Sequence, residues 1–538
     1  MRAEILKSLG RETDPRDVLV VGGGASGLGT AVDAASRGHR TLLIERHDFA
    51  KGTSSRSTKL AHGGVRYLEQ LNLTLVLDAL RERGRMLRNA PHLVHDLEFV
   101  VPAYSYFTLP YYGFGLKVYE LLSGKLSLGH SHILSRERTL ERLPGIAAEG
   151  LRGGVLYHDG QFDDARFAIA LMRTLEDLGG TALNYVEAVG LLKEGGKIIG
   201  VKARDLEDGV EFEIRARAVI NASGVHAEEV LALDGDAHKG LLAVSQGTHF
   251  VLPHSFLPGE TALMIPKTVD GRVLFAIPWH GATLVGTTDQ PVDGRPDEPR
   301  ALPGERAFLM QHIARYFHRR PKPEEILSVW SGLRPLVRKA GVKTSKLSRD
   351  HTILVSPSGL ITLTGGKWTT YRRMGQDTID RAQQVARLPV RPSQTLNLKL
   401  HGFALESSAA LEWERQYGSD LAALCRISHE DPNRNLDGLL HPRLPFRRRE
   451  VIWAARCEMA RTVEDVLARR TRALFLDARA AMEAAPAVAD LLTAELQRSL
   501  AWKARDLENF LLIARGYLYD DCDADATPRS ALRQKEAG

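Results

Sequence analysis

The stretch from Asp17 to Asp48, DVLVVGGGASGLGTAVDAASRGHRTLLIERHD, decides the fold. Asp17 to Val21 reads as a short apolar strand, and Gly22-x-Gly24-x-x-Gly27 follows it without a gap. Leu28 to Arg37 predicts a helix, Arg40 to Ile44 a second strand, and Glu45 closes that strand. Each glycine answers a physical need: Gly22 permits the tight turn, Gly24 lets backbone approach a pyrophosphate, and Gly27 lets helix and strand pack closely. The helix N-terminus beside Ser26 then presents free N–H groups and the positive end of its dipole to the phosphates. Glu45 is placed to accept hydrogen bonds from an adenosine ribose. A glycine-rich turn can also occur with no ligand, but strand, turn, helix, strand and terminal acid in this order mark a dinucleotide site. FAD and NAD share the fingerprint, so the choice rests on what lies downstream.

Outward from this unit the chain is ordinary globular material. Its 538 residues are 43% hydrophobic and 26% charged, with no repeat or low-complexity tract, which predicts a folded chain of two or three domains. The three cysteines, Cys425, Cys457 and Cys522, show no CxxC and no zinc spacing, so no metal is expected and a reducing compartment fits best. A net charge of +6 over the whole chain, with no RRM, zinc-finger or helix-turn-helix signature, argues against nucleic acid. The polar start MRAEILKSLGRETDPRD lacks an apolar signal core, so a cytoplasmic location is expected. The uncharged run FVVPAYSYFTLPYYGFGL, Phe99 to Leu116, approaches spanning length, but Pro102, Pro110, Gly113 and Gly115 are expected to interrupt any helix there.

Beyond the second strand the chain does not continue as plain βα repeats. It enters RHDFAKGTSSRSTKLAHGGVRYLE, in which hydroxyls of Ser54, Ser55 and Ser57 suit pyrophosphate and ribityl oxygens and Gly63-Gly64 would let backbone approach an isoalloxazine ring. Far downstream, ARAVINASGVHAEEV predicts a strand ending in a tight Asn221-Ala222-Ser223-Gly224 turn. Paired with the first glycine loop, this turn favours FAD.

These segments resemble the FAD-dependent, aerobic-type glycerol-3-phosphate dehydrogenases. The resemblance runs from about Asp17 to Arg373 and less sharply beyond, through STKLAHGGVRYLE, DDARFAIA, NASGVHA, GTHFVLP, FAIPWHGATLVGTTD, SGLRPL, SRDHTI, TGGKWTTYR and the late VEDVLARRT. It implies oxidation of sn-glycerol 3-phosphate to dihydroxyacetone phosphate, with FAD as acceptor and a membrane quinone reoxidising it. It implies a mixed α/β and α+β architecture: a two-domain FAD-binding oxidoreductase fold of the glycine/D-amino-acid oxidase type with a C-terminal helical domain. The expected division is an N-terminal extension over residues 1–16, an FAD domain interleaved with an antiparallel-sheet substrate domain over 17–388, and a helical cap over 389–538. The flavin is expected against Gly22, Gly24, Ser26, Gly27, Glu45, Ser54, Ser55, Ser57, Lys59, His62, Gly63, Gly64, Ala222, Gly224, Gly366 and Lys367, with the GTTD turn beside it.

A glycerol phosphate dianion needs cations, and arginine's planar fork grips phosphate best. Arg66, Arg334, Arg349 and Lys367 come from four separate segments; Tyr67 could add a hydrogen bond. Oxidation at C2 also needs a base. His249 lies on the alternating strand VSQGTHFVLP and is favoured for that role, with His62 expected to orient flavin or substrate. The family often has lysine where this chain has Gln246.

Beyond Pro389 the periodicity turns helical, with Val451, Ala455, Met459, Val463 and Leu467 recurring every four residues. The arginines of RLPFRRREVIWAARCEMARTVEDVLARRTRALFL read as a solvated face. Tyr111, Tyr112 and Phe114 before Lys117 and Lys125 favour contact with an anionic membrane surface, which would place the protein peripherally on the inner face of the cell membrane. The oligomeric state is left open, a homo-oligomer included. Rival readings are an oxygen-using glycerol-3-phosphate oxidase, a flavin amine or amino-acid oxidase, and a non-catalytic nucleotide-binding sensor.

Overall fold

The computed structural model describes residues 2–9, 14–64, 73–235, 240–268, 271–338, 350–405, 412–430 and 434–519. Arg66, Tyr67 and Arg349 lie outside the described residues.

The first sheet is built on Arg16–Val21. It runs parallel to Thr41–Ile44 on one side and Glu211–Asn221 on the other, with Thr181–Leu183 and Ile361–Gly365 extending the parallel set. Val18, Leu19 and Val20 are fully buried, as a parallel strand covered on both faces requires. The helix that follows, Ala25–Ser36, starts three residues earlier than expected, directly on an extended Gly24. Helices Asp164–Asp177 and Tyr371–Val385 pack against it.

The second sheet has ten strands and includes Leu242–Pro253, Ala282–Gly286, Leu274–Trp279 and Ser328–Val337. Among the described residues its pairs are antiparallel except Ala262–Ile265, which runs parallel to Val94–Ala103. Because side chains alternate along Leu242–Pro253, Gly247 and His249 share one face and Gln246 and Thr248 the other.

Three expectations fail here. The run from Phe99 does form a helix, Thr108–Ser123. Pro110 occupies its first turn, where a missing N–H costs no intrahelical bond. No described helix is long and apolar enough to cross a membrane. The four-residue periodicity after Val451 is likewise not one helix: Arg448–Cys457 ends before Met459, whose φ is +53°, and the chain resumes as a wide turn over Asp465–Arg470. Nor are the arginines of this run all solvated: Arg469, Arg470 and Arg472 are buried. Arg469 and Arg470 share Asp48, Arg469 also takes Glu464 and Asp465, and Arg472 reaches Asp163 and Asp164.

Candidate active site

A cavity of about 780 Å³ is lined by residues of both sheets, and the dinucleotide loop forms one end of it. Gly22 holds φ +116°, and a Cβ there would stand 2.6 Å from the Ala222 carbonyl oxygen. A Cβ on Gly27 would stand 1.8 Å from the Gly22 carbonyl oxygen, so Gly27 serves helix-to-strand packing, behind the wall that Gly22, Gly24, Ala25 and Ser26 present. Glu45 accepts from the Gly23 amide at 2.6 Å and the His47 amide at 2.8 Å, which aims its carboxylate beside the loop. An acid fixed at the end of the second strand, a loop whose glycines leave room for pyrophosphate, and a cavity opening beside both fit FAD.

The segment after Lys51, which opens with a tight turn over Thr53–Ser55, supplies the next wall. Ser54, Ser57 and Thr58 line the cavity. The Ser54 hydroxyl accepts from the Ala25 amide at 2.9 Å, tying this segment to the glycine loop. Ser55 and Lys59 correct the expectation: both are buried and turned away from the cavity. The Lys59 ammonium donates to the Ser55 carbonyl and to both Asp164 oxygens, each at 2.8 Å, and burial pushes it down to about 7. Gly63 is a second correction, because its amide donates to the Tyr119 hydroxyl at 2.7 Å, whereas His62 and Gly64 line the cavity. Ala222 and Gly224 line it from the distant turn, and Gly366 and Lys367 from the segment after Ile361–Gly365.

Another part of the cavity wall holds His249 and Arg334. His249 pairs across the sheet with Trp330 on one neighbouring strand and Gly286 on the other. The imidazole stacks on Trp330 with centroids 4.1 Å apart, and a Cβ on Gly286 would stand 2.1 Å from its ring. Its Nε2 lies 2.9 Å from the Thr58 hydroxyl. Burial first, then the charges of Lys59 and Arg334, hold its pKa well below the usual histidine range, so the ring is neutral. Arg334 donates to the Thr287 hydroxyl at 2.9 Å, the Thr288 carbonyl at 3.1 Å and Asp289 at 3.2 Å, which sets its guanidinium on the cavity wall. Gln246, on the other face of the strand, donates to Glu305 at 2.7 Å and the Arg300 carbonyl at 2.8 Å. A cation replaced at that position would therefore not have pointed at the cavity.

The structure thus brings His62, His249, Arg334 and Lys367 to one cavity with the glycine loop. Sequence reasoning missed Thr58, Trp330, Thr287 and Asp289. Thr58 lay unremarked inside STKLAHGG, and Thr287 and Asp289 belong to the GTTD turn that was read only as a flavin neighbour.

Comparison with known proteins agrees. Residues 17–372 match the family described as FAD dependent oxidoreductase, and residues 359–503 match the C-terminal domain of alpha-glycerophosphate oxidase. The chain is 38% identical to the mitochondrial glycerol-3-phosphate dehydrogenase of Mus musculus, covering 98% of this chain and 78% of that one. It is 34% identical to the Saccharomyces cerevisiae mitochondrial enzyme, with 95% and 91% covered. The glycerol-3-phosphate dehydrogenase of Bacillus halodurans, solved with FAD, superposes with a TM-score of 0.79 at 28% identity, covering 96% of this chain and 97% of that one. The two-sheet architecture with helices at the C-terminal end is that of the same flavoprotein fold, and FAD is the cofactor. The chain belongs to the family of FAD-dependent glycerol-3-phosphate dehydrogenases.

Proposed function

We propose that this chain oxidises sn-glycerol 3-phosphate to dihydroxyacetone phosphate in the cavity described above and delivers the electrons to a membrane quinone. The observation that carries the reading is the single cavity that joins the dinucleotide loop at Gly22 to Arg334, Lys367 and His249. When bound, FAD supplies the two-electron acceptor. Arg334 grips the substrate phosphate with a guanidinium already oriented by Thr287 and Asp289, and Lys367 adds a second positive charge. His249 accepts the C2 hydroxyl proton. Its neutral ring is the form that can accept, and the substrate dianion offsets the repulsion that Lys59 and Arg334 exert on the protonated ring. His62 orients the reacting centre from the flavin side of the cavity. Arg66, Tyr67 and Arg349 remain part of the proposed substrate shell.

Membrane delivery rests on a surface. Phe107 and Phe114 are 90% and 75% exposed, and Tyr106, Tyr111, Leu121 and Ile133 are exposed with them around the helix Thr108–Ser123. Aromatic side chains in such a patch suit the headgroup layer, with the protein lying on the cytoplasmic face of the membrane. The decisive experiment is anaerobic addition of glycerol 3-phosphate to purified protein. Bleaching of the flavin absorbance, followed by recovery on adding a soluble quinone, is expected. Bleaching by an amine or amino acid but not by glycerol 3-phosphate would overturn the substrate, and stoichiometric peroxide without quinone reduction would overturn the acceptor. Liposome flotation should weaken in a Phe107, Tyr111, Phe114 triple-serine variant; unchanged flotation would remove this patch from the membrane contact.

A further inference from the structure

The wall that carries Ser54, Ser57 and Thr58 is held from behind by a residue some four hundred positions later in the chain. Arg472 adopts φ +64° and is fully buried. Its guanidinium donates to the Ser55 carbonyl at 2.9 Å and to Asp164 at 3.2 Å, lies 3.3 Å from Asp163, and donates to its own segment at the Ala468 carbonyl at 2.6 Å. The ring of Phe475 stacks beneath it, 4.4 Å from the guanidinium carbon. Asp164 in turn accepts from the Ser57 amide at 2.9 Å and the Ser57 hydroxyl at 2.7 Å, while Lys59 grips the same carboxylate and the same Ser55 carbonyl. Both cavity-facing serines therefore flank a backbone carbonyl fixed by two cations, and the cations are matched by Asp163 and Asp164.

We propose that Arg472 is a positioning residue for the cofactor: it locks the Ser54 to Thr58 wall into the shape that holds FAD, so that the C-terminal segment completes the flavin site without touching the cavity. The reason is geometric. Arg472 is absent from the cavity lining, yet it binds the Ser55 carbonyl between the two serines and the Asp164 carboxylate that holds Ser57. Lysine at this position would keep the charge but lose the planar fork that reaches Ser55, Asp163 and Asp164 together. Methionine would remove the guanidinium nearest Asp163 and leave that buried carboxylate to His280, 3.5 Å away, and to the charges of Lys59 and Arg166.

The test is FAD affinity, measured by flavin fluorescence quenching on deflavinated protein, together with thermal stability. Arg449→Met is the control: Arg449 pairs with Glu414 at 2.7 Å and Asp437, all within the C-terminal part and remote from the cavity. Arg472→Met should raise the FAD dissociation constant at least tenfold, Arg472→Lys less so, and Arg449→Met should lower the melting temperature without moving FAD affinity. Arg472→Met holding FAD like wild type overturns the proposal, as does an equal affinity loss in Arg449→Met, which would make the effect one of general stability. If Arg472→Met does not fold, Arg472→Lys decides alone: wild-type affinity in that variant overturns the proposal, and a loss with an unchanged melting temperature supports it.

Discussion

Two regions converge on the same cofactor wall by opposite means. The glycine loop at Gly22 to Gly27 works by what it lacks: backbone approaches backbone because no Cβ intervenes, at Gly27 against its own loop and at Gly22 against the distant Ala222 turn. The arginine run at Arg469 to Arg472 works by what it adds: three buried guanidinium groups satisfied by Asp48, Asp163 and Asp164. Glycine turns create space locally, whereas buried arginines close distance across the whole chain. Arg469 meets Asp48 across 421 positions, and Arg472 meets Ser55 across 417.

The comparison breaks most severely at Gly27. A Cβ 1.8 Å from the Gly22 carbonyl oxygen cannot be relieved by a rotamer, since both partners are backbone. Gly27→Val should therefore abolish flavin content and cost several kcal/mol of stability, the overpacking range or beyond. Absorbance near the flavin bands and a thermal melt check it; a yellow, wild-type-stable variant would mean that helix and strand can part without losing the site.

The contrast also explains what was legible. A glycine fingerprint is a local pattern, so the strand, the loop and Glu45 could be read directly, and the helix boundary moved only from Leu28 to Ala25. The partners of Arg470 and Arg472 lie hundreds of residues upstream, and nothing in ARRTR itself shows that they exist. Solvated and buried arginines look alike in sequence until the fold supplies the carboxylates. The same reason separated Ser57 from Ser55: both are serines in one loop, and it is the tight turn over Thr53–Ser55 and the distant Asp164, bonded to Ser57, that set their places. Pro110 and the two nearby glycines misled in the other direction, because a proline in a first turn reads as a breaker when the helix start is unknown.

Two arginines sharpen the comparison at intermediate size. Arg470 is fully buried and its guanidinium binds Asp48 and the Glu458 carbonyl, so Arg470→Met should cost about 3 kcal/mol of folding stability by leaving the buried Asp48 to Arg469 alone among its cations and the Glu458 carbonyl without this donor. Arg334 lines the cavity with its side chain partly exposed, so Arg334→Met should leave the fold near wild type. It should instead lose about 2–4 kcal/mol in kcat/KM for glycerol 3-phosphate and much less for glycerol. Chemical denaturation and steady-state kinetics on both substrates separate the two. Equal kinetic losses on glycerol and its phosphate would remove Arg334 from the phosphate site.

The smallest effect concerns pH. The arginines keep their charge over any working pH, but the C-terminal part also meets the rest of the chain at His92, where a Cβ on Gly402 would stand 3.0 Å from the ring and one on Gly418 also 3.0 Å. Burial, opposed by a hydrogen bond with His401, lowers the His92 pKa to about 4. The unfolded chain takes up that proton near 6.5, so the neutral ring's contribution is whole above 6.5 and is lost progressively as the pH falls towards 4. His401 runs the other way: its bonds to Asp420 and Asp177 raise its pKa, so its contribution is present at low pH and fades as the pH rises through that raised value. The two windows do not overlap, because His401's contribution changes above 6.5 and that of His92 below it. With the partial exposure of His92 taken into account, its own share is about 2 kcal/mol. Unfolding free energies at pH 7.5 and 4.5 should therefore differ less in His92→Asn than in wild type by about that amount, with His401 unchanged in both. Parallel pH slopes for the two proteins would show that the contact at His92 holds no histidine kept neutral by burial.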